Sequence, residues 1–386
     1  MMPTRPLRIA LLTYATKPRG SVVHTLELAI ALTELGHQVC VYALDKDGQG
    51  FERSLPCAVR LIPAQPAPPD VDRLIHQRIH EFVQALEQAP AYDIYHAQDC
   101  IGANALVQQR ERGHIPHVVR TVHHIEDYTS PYLQQCQDRS IRAPDLCLCV
   151  SDRWQQALAT DYGITAPRVL NGVDTTRFTA VPTGQEANLK ATYGLSGSPI
   201  YLTIGGIEPR KNSIHLLRAF AQVLAHQPQA QLVIAGGATL FDYQPYREEF
   251  FRVAEALAIP VGRSLILPGV IPETALPVLY RCADAFCFPS LKEGWGLVVL
   301  EAIAAGLPIV VSDQPPFTEF LAPSQAIWVN PNVPTAIAQG MLAATQPETA
   351  IALIQASQSV LAQYSWRRSA QFHIDHYHKL LGQSRD

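Results

Sequence analysis

Arg8-Ile-Ala-Leu-Leu-Thr13, Thr25-Leu-Glu-Leu-Ala-Ile-Ala-Leu-Thr-Glu-Leu35 and Gln38-Val-Cys-Val-Tyr-Ala43 follow one another near the start of the chain, and their alternation decides the fold. The first run is short and apolar, and reads as a strand buried on both faces. The second has the apolar spacing of an amphipathic helix, stopped by Gly36 as a C-cap glycine. The third is a strand again. Continuous apolar strands separated by helices mark a parallel sheet covered by helices on both sides.

The pattern continues outward through Ile94-Tyr-His96, His117-Val-Val-Arg-Thr-Val122 and Leu146-Cys-Leu-Cys-Val150. The Pro-rich stretch 62–69 reads as a surface loop. After a polar interval at 179–198 a second cycle begins, with strands at Ile200-Tyr-Leu-Thr-Ile204, Gln231-Leu-Val-Ile-Ala235, Ser264-Leu-Ile-Leu267, Ala285-Phe-Cys-Phe288 and Ile309-Val-Val311. A helix is expected from Ser213 to Ala225, and another from Trp366. The expected fold is therefore α/β, two Rossmann-like doubly wound domains at 1–180 and 198–365, with a C-terminal helix at 366–386. In such folds ligands bind at the carboxyl ends of strands, here expected in a cleft between the halves. Neither half carries Gly-x-Gly-x-x-Gly after its first strand, which argues against a nicotinamide dehydrogenase, and no Walker A motif occurs.

Composition agrees with a soluble globular protein: 386 residues, 47% hydrophobic, 17% charged, mean hydropathy +0.03. That length exceeds one ordinary core, so two domains are the default. A net charge of −4 supplies no electrostatic case for nucleic acid. No apolar stretch approaches the roughly 20 residues that span a bilayer, and no leader pattern precedes the first strand. The 8 cysteines are scattered and fit reduced thiols, so a cytoplasmic location is expected.

Leu291-Lys-Glu-Gly-Trp-Gly-Leu-Val-Val-Leu-Glu301 carries the chemistry. Glu293 stands in a Gly-flanked turn, and Glu301 rides about one turn into a helix expected to start near Gly296 or Leu297. Helical side chains lean toward the N-terminus, so both carboxylates can face the helix mouth. The unpaired N–H groups and the positive dipole end there suit a phosphate. Two acceptor-only groups beside a phosphate seat suit a sugar nucleotide. The competing reading is a helix with an acidic start, which stabilises any helix.

Further runs occur in a fixed order: Pro18-Arg-Gly-Ser21, Tyr95-His-Ala-Gln-Asp99, Thr121-Val-His123, Val150-Ser-Asp152, Asn171-Gly-Val-Asp-Thr-Thr-Arg-Phe178, Gly205-Gly-Ile-Glu-Pro-Arg-Lys-Asn212, Pro289-Ser-Leu-Lys-Glu-Gly-Trp-Gly296, Ala302–Pro308 and Ser312-Asp313. In this order the chain resembles a family-4 retaining glycosyltransferase of the GT-B fold over nearly its whole length.

The resemblance implies transfer of a sugar from a nucleotide diphosphate sugar to a hydroxyl acceptor, with no metal and no cofactor. It gives Arg210 and Lys211 the charge of the departing diphosphate, which fixed cations stabilise electrostatically. Without it they read as a solvated turn. It assigns Glu293 to the donor sugar and Glu301 to the ribose. The backbone of Gly296, Leu297 and Val298 would face sugar and phosphates, and Gly269-Val270-Ile271 would lie against the base. His123 matches the family's active-site histidine; His124 stands beside it, and the resemblance does not choose between the two. Gly20 and Ser21 correspond to a loop near donor phosphate and acceptor, with Ser21 where the family has a second glycine. Gly206 stands where many relatives have Arg, and Arg210 is the residue placed to take over that charge. The same resemblance makes 366–386 a helix crossing back to the first domain.

His76 and His80, four apart on an expected helix, have no adjacent Glu and no third ligand and read as a polar helix face, whereas His373, His376 and His378 on the expected C-terminal helix are able to bind a metal adventitiously. Tyr128, Tyr132 and Arg142 are candidates to line an acceptor site. The acceptor, the base, oligomeric state and peripheral membrane contact are left open, with no polybasic cluster for the last. A sugar-nucleotide epimerase or hydrolase, and a non-catalytic nucleotide-sugar-binding protein, are the alternatives to a transferase.

Overall fold

A parallel sheet exposes its loops at two ends only, so strand order determines which loops meet. The computed structural model describes residues 5–237 and 243–383. Contacts divide the chain into two compact units: one runs to Gly172 and resumes at Ser365, the other is Val173–Tyr364. Residues 173–180, expected in the first domain, group with the second unit.

The first unit holds β1 (Arg8–Thr13), β2 (Gln38–Asp45), β3 (Ala58–Pro63), β4 (Ile94–Ala97), β5 (Val119–Val122) and β6 (Leu146–Cys149). They form one sheet in the order β3-β2-β1-β4-β5-β6, and every pairing is parallel. The second unit holds β7 (Ile200–Ile204), β8 (Gln231–Ala235), β9 (Leu265–Gly269), β10 (Ala285–Phe288), β11 (Ile309–Ser312) and β12 (Ile327–Val329). Its order is β12-β11-β10-β7-β8-β9, again wholly parallel. In each sheet the chain starts in the middle, winds to one side, then crosses back and winds to the other. The switch falls between β1 and β4 in the first unit, and between β7 and β10 in the second. There, the loops leaving the two strands run apart and open a crevice.

The expected strands occur where the apolar runs place them. Of the four edge strands, β3 and β12 were not read from the sequence, whereas β6 and β9 were. Most of β3 is exposed and it ends at Pro63, which an edge strand tolerates because one side of its backbone needs no partner. β12 is only 3 residues long. The first helix spans Gly20–Glu34, five residues earlier than the Thr25 start expected, and it buries residues on several faces rather than along one stripe. Sheet on one side and the Trp366–Gln383 helix on the other account for this all-round burial.

Each unit has its own core. Tyr42, Phe82, Leu106 and Val118 belong to the first, and Tyr201, Phe220, Phe250 and Met341 to the second. All 8 cysteines are free thiols, mostly buried. Among the described residues no helix is long and apolar enough to cross a membrane.

The Trp366–Gln383 helix returns to the first unit through a close backbone approach. A Cβ on Gly172 would lie 2.3 Å from the Trp366 nitrogen and 2.5 Å from the Ser365 carbonyl carbon. Backbone atoms cannot rotate away as a side chain can. Gly172→Ala is therefore expected to destabilise the protein by about 1–3 kcal/mol, read as a lower midpoint in denaturant unfolding; an unchanged midpoint would show that this junction is loose.

Candidate active site

At the second unit's switch point, the turn after β7 meets the turn after β10. Pro209–Lys211 is a single 3-10 turn closed by Asn212 in the left-handed region at φ +62°. Asn tolerates that conformation better than most residues, and here its side chain makes it useful. The Asn212 amide donates to the carbonyls of Pro289 (3.0 Å) and Pro331 (2.6 Å), and its oxygen meets His215 Nδ1 at 2.7 Å. Leu291 N–H donates to the Arg210 carbonyl at 2.8 Å. The two turns are thereby fastened together before any charged side chain is considered. Beyond Glu293, Trp295 is buried and stacks on Phe320 at 4.7 Å, anchoring the loop to the unit's core.

On this frame Lys211 Nζ donates to Glu293 Oε1 at 2.7 Å. Arg210 lies 3.4 Å from both Glu293 oxygens, and its Nε is 2.9 Å from Glu208 Oε2. Glu208 and Glu293 are buried, Lys211 is nearly so, and Arg210 remains about a third exposed. The Lys211 ammonium also sits 4.4 Å above the centre of the Phe288 ring. Burial pushes the Glu293 carboxyl upward, but Lys211 and Arg210 outweigh it and hold the group below the usual carboxylate range. Burial lowers the Lys211 ammonium from 10.5, with Glu293 opposing and Arg210 adding to the fall. The direction at Glu293 is the firmer of the two, because two cations face one carboxylate.

The Leu297–Ala304 helix starts directly after Gly296, where the sequence placed it. Its acidic residue, Glu301, is buried and accepts a hydrogen bond from Tyr280 at 2.8 Å. The same hydroxyl lies 3.3 Å from the Val298 carbonyl. Burial and the neighbouring Glu301 raise the Tyr280 phenol far above 10, so it stays a donor.

Three turns of glycine close the strand ends beside this network. Gly205 and Gly206 N–H groups both donate to the Ala235 carbonyl, at 2.8 and 3.1 Å. A Cβ on Gly206, whose φ is +75°, would lie 2.8 Å from the Gly237 carbonyl oxygen. A longer side chain at this position needs a different path for the Gly236-Gly237 turn, so the glycine is part of the local backbone here. Val270 follows the Gly269 turn and is one of the most exposed large apolar side chains of the unit.

The first unit collects the other residues singled out from the sequence. His123 follows β5 directly, and its Nε2 lies 2.9 Å from Gln98 Oε1 at the end of β4. It belongs to a nest of four imidazoles from four elements. The His24 ring is 4.7 Å from His123 and 5.7 Å from His373, and His96 is 5.6 Å from His373. His24, His96 and His373 are wholly buried. Burial lowers His24 to about 4 despite its bond to Asn171, and His373 to about 3. Burial, with His373, His24 and Arg120 nearby, also holds His96 well below 6.5, and burial, with His24, Arg120, His96 and His373, does the same to His123. His373, grouped in the sequence with His376 and His378 as an adventitious metal site, points inward to His24 and His96. Gly20 and Ser21, expected in a loop, form the first turn of the Gly20–Glu34 helix, since nothing crowds Gly20.

His124 faces Glu126 at 3.3 Å and stacks edge-on with Trp154, so it leads away from the nest. Arg142, a candidate for the acceptor side, donates to the Tyr162 and Asp161 carbonyls and closes a helix end instead. His76 and His80 are exposed, and among the described residues no group of three or more His, Cys, Asp or Glu is arranged to hold a metal ion. Glu208, Asn212, Tyr280 and Gln98 were missed. The first two sit inside a run quoted for its neighbours, and their partners are 77 or more residues away for Asn212.

Two parallel six-stranded sheets, each doubly wound about a switch point, are the architecture of the GT-B fold. Residues 18–177 match the model described as Glycosyltransferase Family 4, and residues 185–358 that of Glycosyl transferases group 1; the chain belongs to this family and is a glycosyltransferase. It is 27% identical over 350 residues to a D-inositol 3-phosphate glycosyltransferase of Kribbella flavida, covering 80% of each. It is 28% identical over 336 residues to O-antigen chain mannosyltransferase B of Escherichia coli, covering 82% of this chain and 81% of that one. Sucrose-phosphate synthase from Thermosynechococcus elongatus shares the fold with a TM-score of 0.79 at 21% identity, covering 98% of this chain and 100% of that one. The Anabaena protein HepE in complex with UDP-glucose does so with a TM-score of 0.80 at 18% identity, covering 97% and 100%.

Lys211→Met leaves Glu293 buried with Arg210, at 3.4 Å, as its remaining cation, and is expected to destabilise by about 3 kcal/mol. Adding Glu293→Leu should recover part of that loss in urea unfolding, since a paired loss removes the stranded charge; no recovery would mean that the two side chains are energetically independent. The imidazole nest generates a second expectation. Folded His24 and His373 titrate below 6.5, so the unfolded chain binds more protons as pH falls. Their contribution is complete above about 6.5 and is lost toward about 4 and 3. Between pH 7 and 5 each should contribute on the order of 2 kcal/mol of lost stability. Melting curves at the two values should show that fall, and His373→Leu should make it shallower.

Proposed function

We propose that this glycosyltransferase takes its sugar from a nucleotide diphosphate sugar, retains the anomeric configuration, and needs no metal ion. The observation that carries the reading is the fastened network of Lys211, Arg210, Glu293 and Glu208 at the β7/β10 switch point, beside the start of the Leu297–Ala304 helix. Diphosphate gains charge as the glycosidic bond breaks, and preorganised cations with a helix N-terminus stabilise it without reorganisation. Lys211 spends one of its three N–H donors on Glu293 and keeps the others for phosphate oxygens. Gly296, Leu297 and Val298 present backbone N–H groups to sugar and phosphate. Gly206 supplies close backbone approach, and Arg210 supplies the charge.

Glu293 accepts from donor sugar hydroxyls, and Glu301 from the ribose, oriented by Tyr280. Val270, exposed beyond Gly269, lies against the base. His123 serves the transferred sugar, with Gly20 and Ser21 near the donor phosphate and acceptor. The acceptor hydroxyl attacks the anomeric carbon on the face the diphosphate leaves. The new C–O bond forms as the old one breaks, and the hydroxyl proton passes to a departing phosphate oxygen. Support for a nucleotide sugar also comes from the Anabaena protein HepE, which shares the fold and is solved in complex with UDP-glucose. We place the enzyme in the cytoplasm.

A thermal-shift panel of UDP-glucose, GDP-mannose and ADP-glucose tests the donor. One of them should raise the melting point, and Glu301→Ala should abolish the rise. Lys211→Ala should slow turnover of that donor by about 100-fold or more, with turnover unaffected by EDTA. A strict requirement for a divalent ion would overturn the charge assignment to Lys211 and Arg210.

A further inference from the structure

The first unit's switch point holds a side chain that none of the above uses. Gln98 follows β4 and is almost wholly buried. Its backbone N–H donates to the Leu12 carbonyl at the end of β1, 3.0 Å away, so its position is tied to the central strand pair. Its amide lies between two imidazoles. On one side Oε1 is 2.9 Å from His123 Nε2. On the other, Nε2 lies 3.2 Å from one His96 ring nitrogen and 3.5 Å from the other.

Near-equal distances to both nitrogens of one ring put the amide nitrogen over the ring face. The in-plane positions of His96 are already occupied: Nδ1 meets the Tyr377 hydroxyl at 2.7 Å, and Nε2 meets Thr121 Oγ1 at 2.8 Å. A neutral aromatic face is electron-rich and attracts N–H, while it repels a carbonyl oxygen. The ring of His96 therefore selects which end of the Gln98 amide faces it. The remaining end, the acceptor oxygen, faces His123. An acceptor opposite Nε2 requires that this nitrogen carry the hydrogen. His123 Nδ1 is left with a bare lone pair, and no described residue engages it.

We propose that Gln98 is a positioning residue: held by the face of His96, it keeps His123 in the Nε2–H tautomer, so that His123 meets its substrate through Nδ1 as an acceptor of a hydroxyl hydrogen. This rests on the reading of His123 as an active-site residue. The relay runs Tyr377 and Thr121 to His96, His96 to Gln98, and Gln98 to His123. It makes the C-terminal helix part of the catalytic apparatus of the first unit. The charged and titratable groups around His123 are His24 on the Gly20–Glu34 helix, His96 on β4, Arg120 on β5 and His373 on the C-terminal helix. None of them supplies a negative charge, so the neutral ring is the working form.

Nitrogen NMR of the full chain, labelled at histidine, reads the tautomer directly, with His123→Ala assigning the signal. In the wild type His123 should show a protonated Nε2 and a bare Nδ1. Gln98→Leu should give a mixture of tautomers. Gln98→Glu keeps shape and adds a charge, so it should keep the Nε2–H form and raise the His123 titration midpoint by a unit or more. The acidic limb of donor turnover should move to higher pH with it. A wild-type His123 protonated at Nδ1, or a tautomer untouched by Gln98→Leu in a protein that still melts cooperatively, would overturn the proposal. If His123→Ala keeps full donor turnover, the active-site placement fails instead. If His123→Ala is inactive while both Gln98 variants keep the wild-type tautomer and pH profile, only the Gln98 relay fails.

Discussion

A parallel sheet has to be covered on both faces, because its strands are apolar on both and its connections cross over the faces as helices. In this chain that constraint operates twice. It removes the faces from any role in chemistry and leaves the strand ends as the only places where polar side chains converge. At the ends, only neighbouring strands whose connections diverge leave room for a ligand. The β7/β10 boundary and the β1/β4 boundary are those places. The polar groups discussed above cluster at or beside them.

What occupies the second boundary is charge held in a dry setting. Glu293 and Lys211 face each other at 2.7 Å with little water near them. Isolated, either would be strongly disfavoured by burial; together, and with Arg210 and Glu208, they are compensated. Such a network need not add net stability. Its value is geometric, because Asn212 and the Leu291–Arg210 backbone bond fix where its charges stand. A transferase that must stabilise a departing diphosphate gains most from charges that do not have to move.

The first boundary holds the opposite electrostatic case. Four imidazoles share a buried volume, and burial keeps them neutral. Neutral rings differ from charged ones in having a donor side and an acceptor side. Which side is which becomes a property of the neighbours, and Gln98 between His96 and His123 is the neighbour that sets it. The two units thus contribute differently, one with fixed charge and the other with oriented neutral hydrogen bonds.

The sequence by itself determined the strands of both units other than β3 and β12, because burial on two faces forces continuous apolar runs, and those are visible without any partner. It also singled out the Glu293 and Glu301 pair, while Arg210 and Lys211, and a role for any of the four, came only with the resemblance. It did not reveal β3, most of which is exposed, or β12, which is only 3 residues long, because neither supplies a buried apolar run. It misjudged the first helix, whose all-round burial depends on the returning Trp366–Gln383 helix. Tertiary structure alone decided that Asn212 bridges Pro289 and Pro331, that Tyr280 holds Glu301, and that His373 turns inward to meet His24 and His96. Each of these depends on a contact between residues tens to hundreds of positions apart. Local pattern reports what a segment must bury, while the identity of a hydrogen-bond partner is settled only when the sheets bring distant strand ends together.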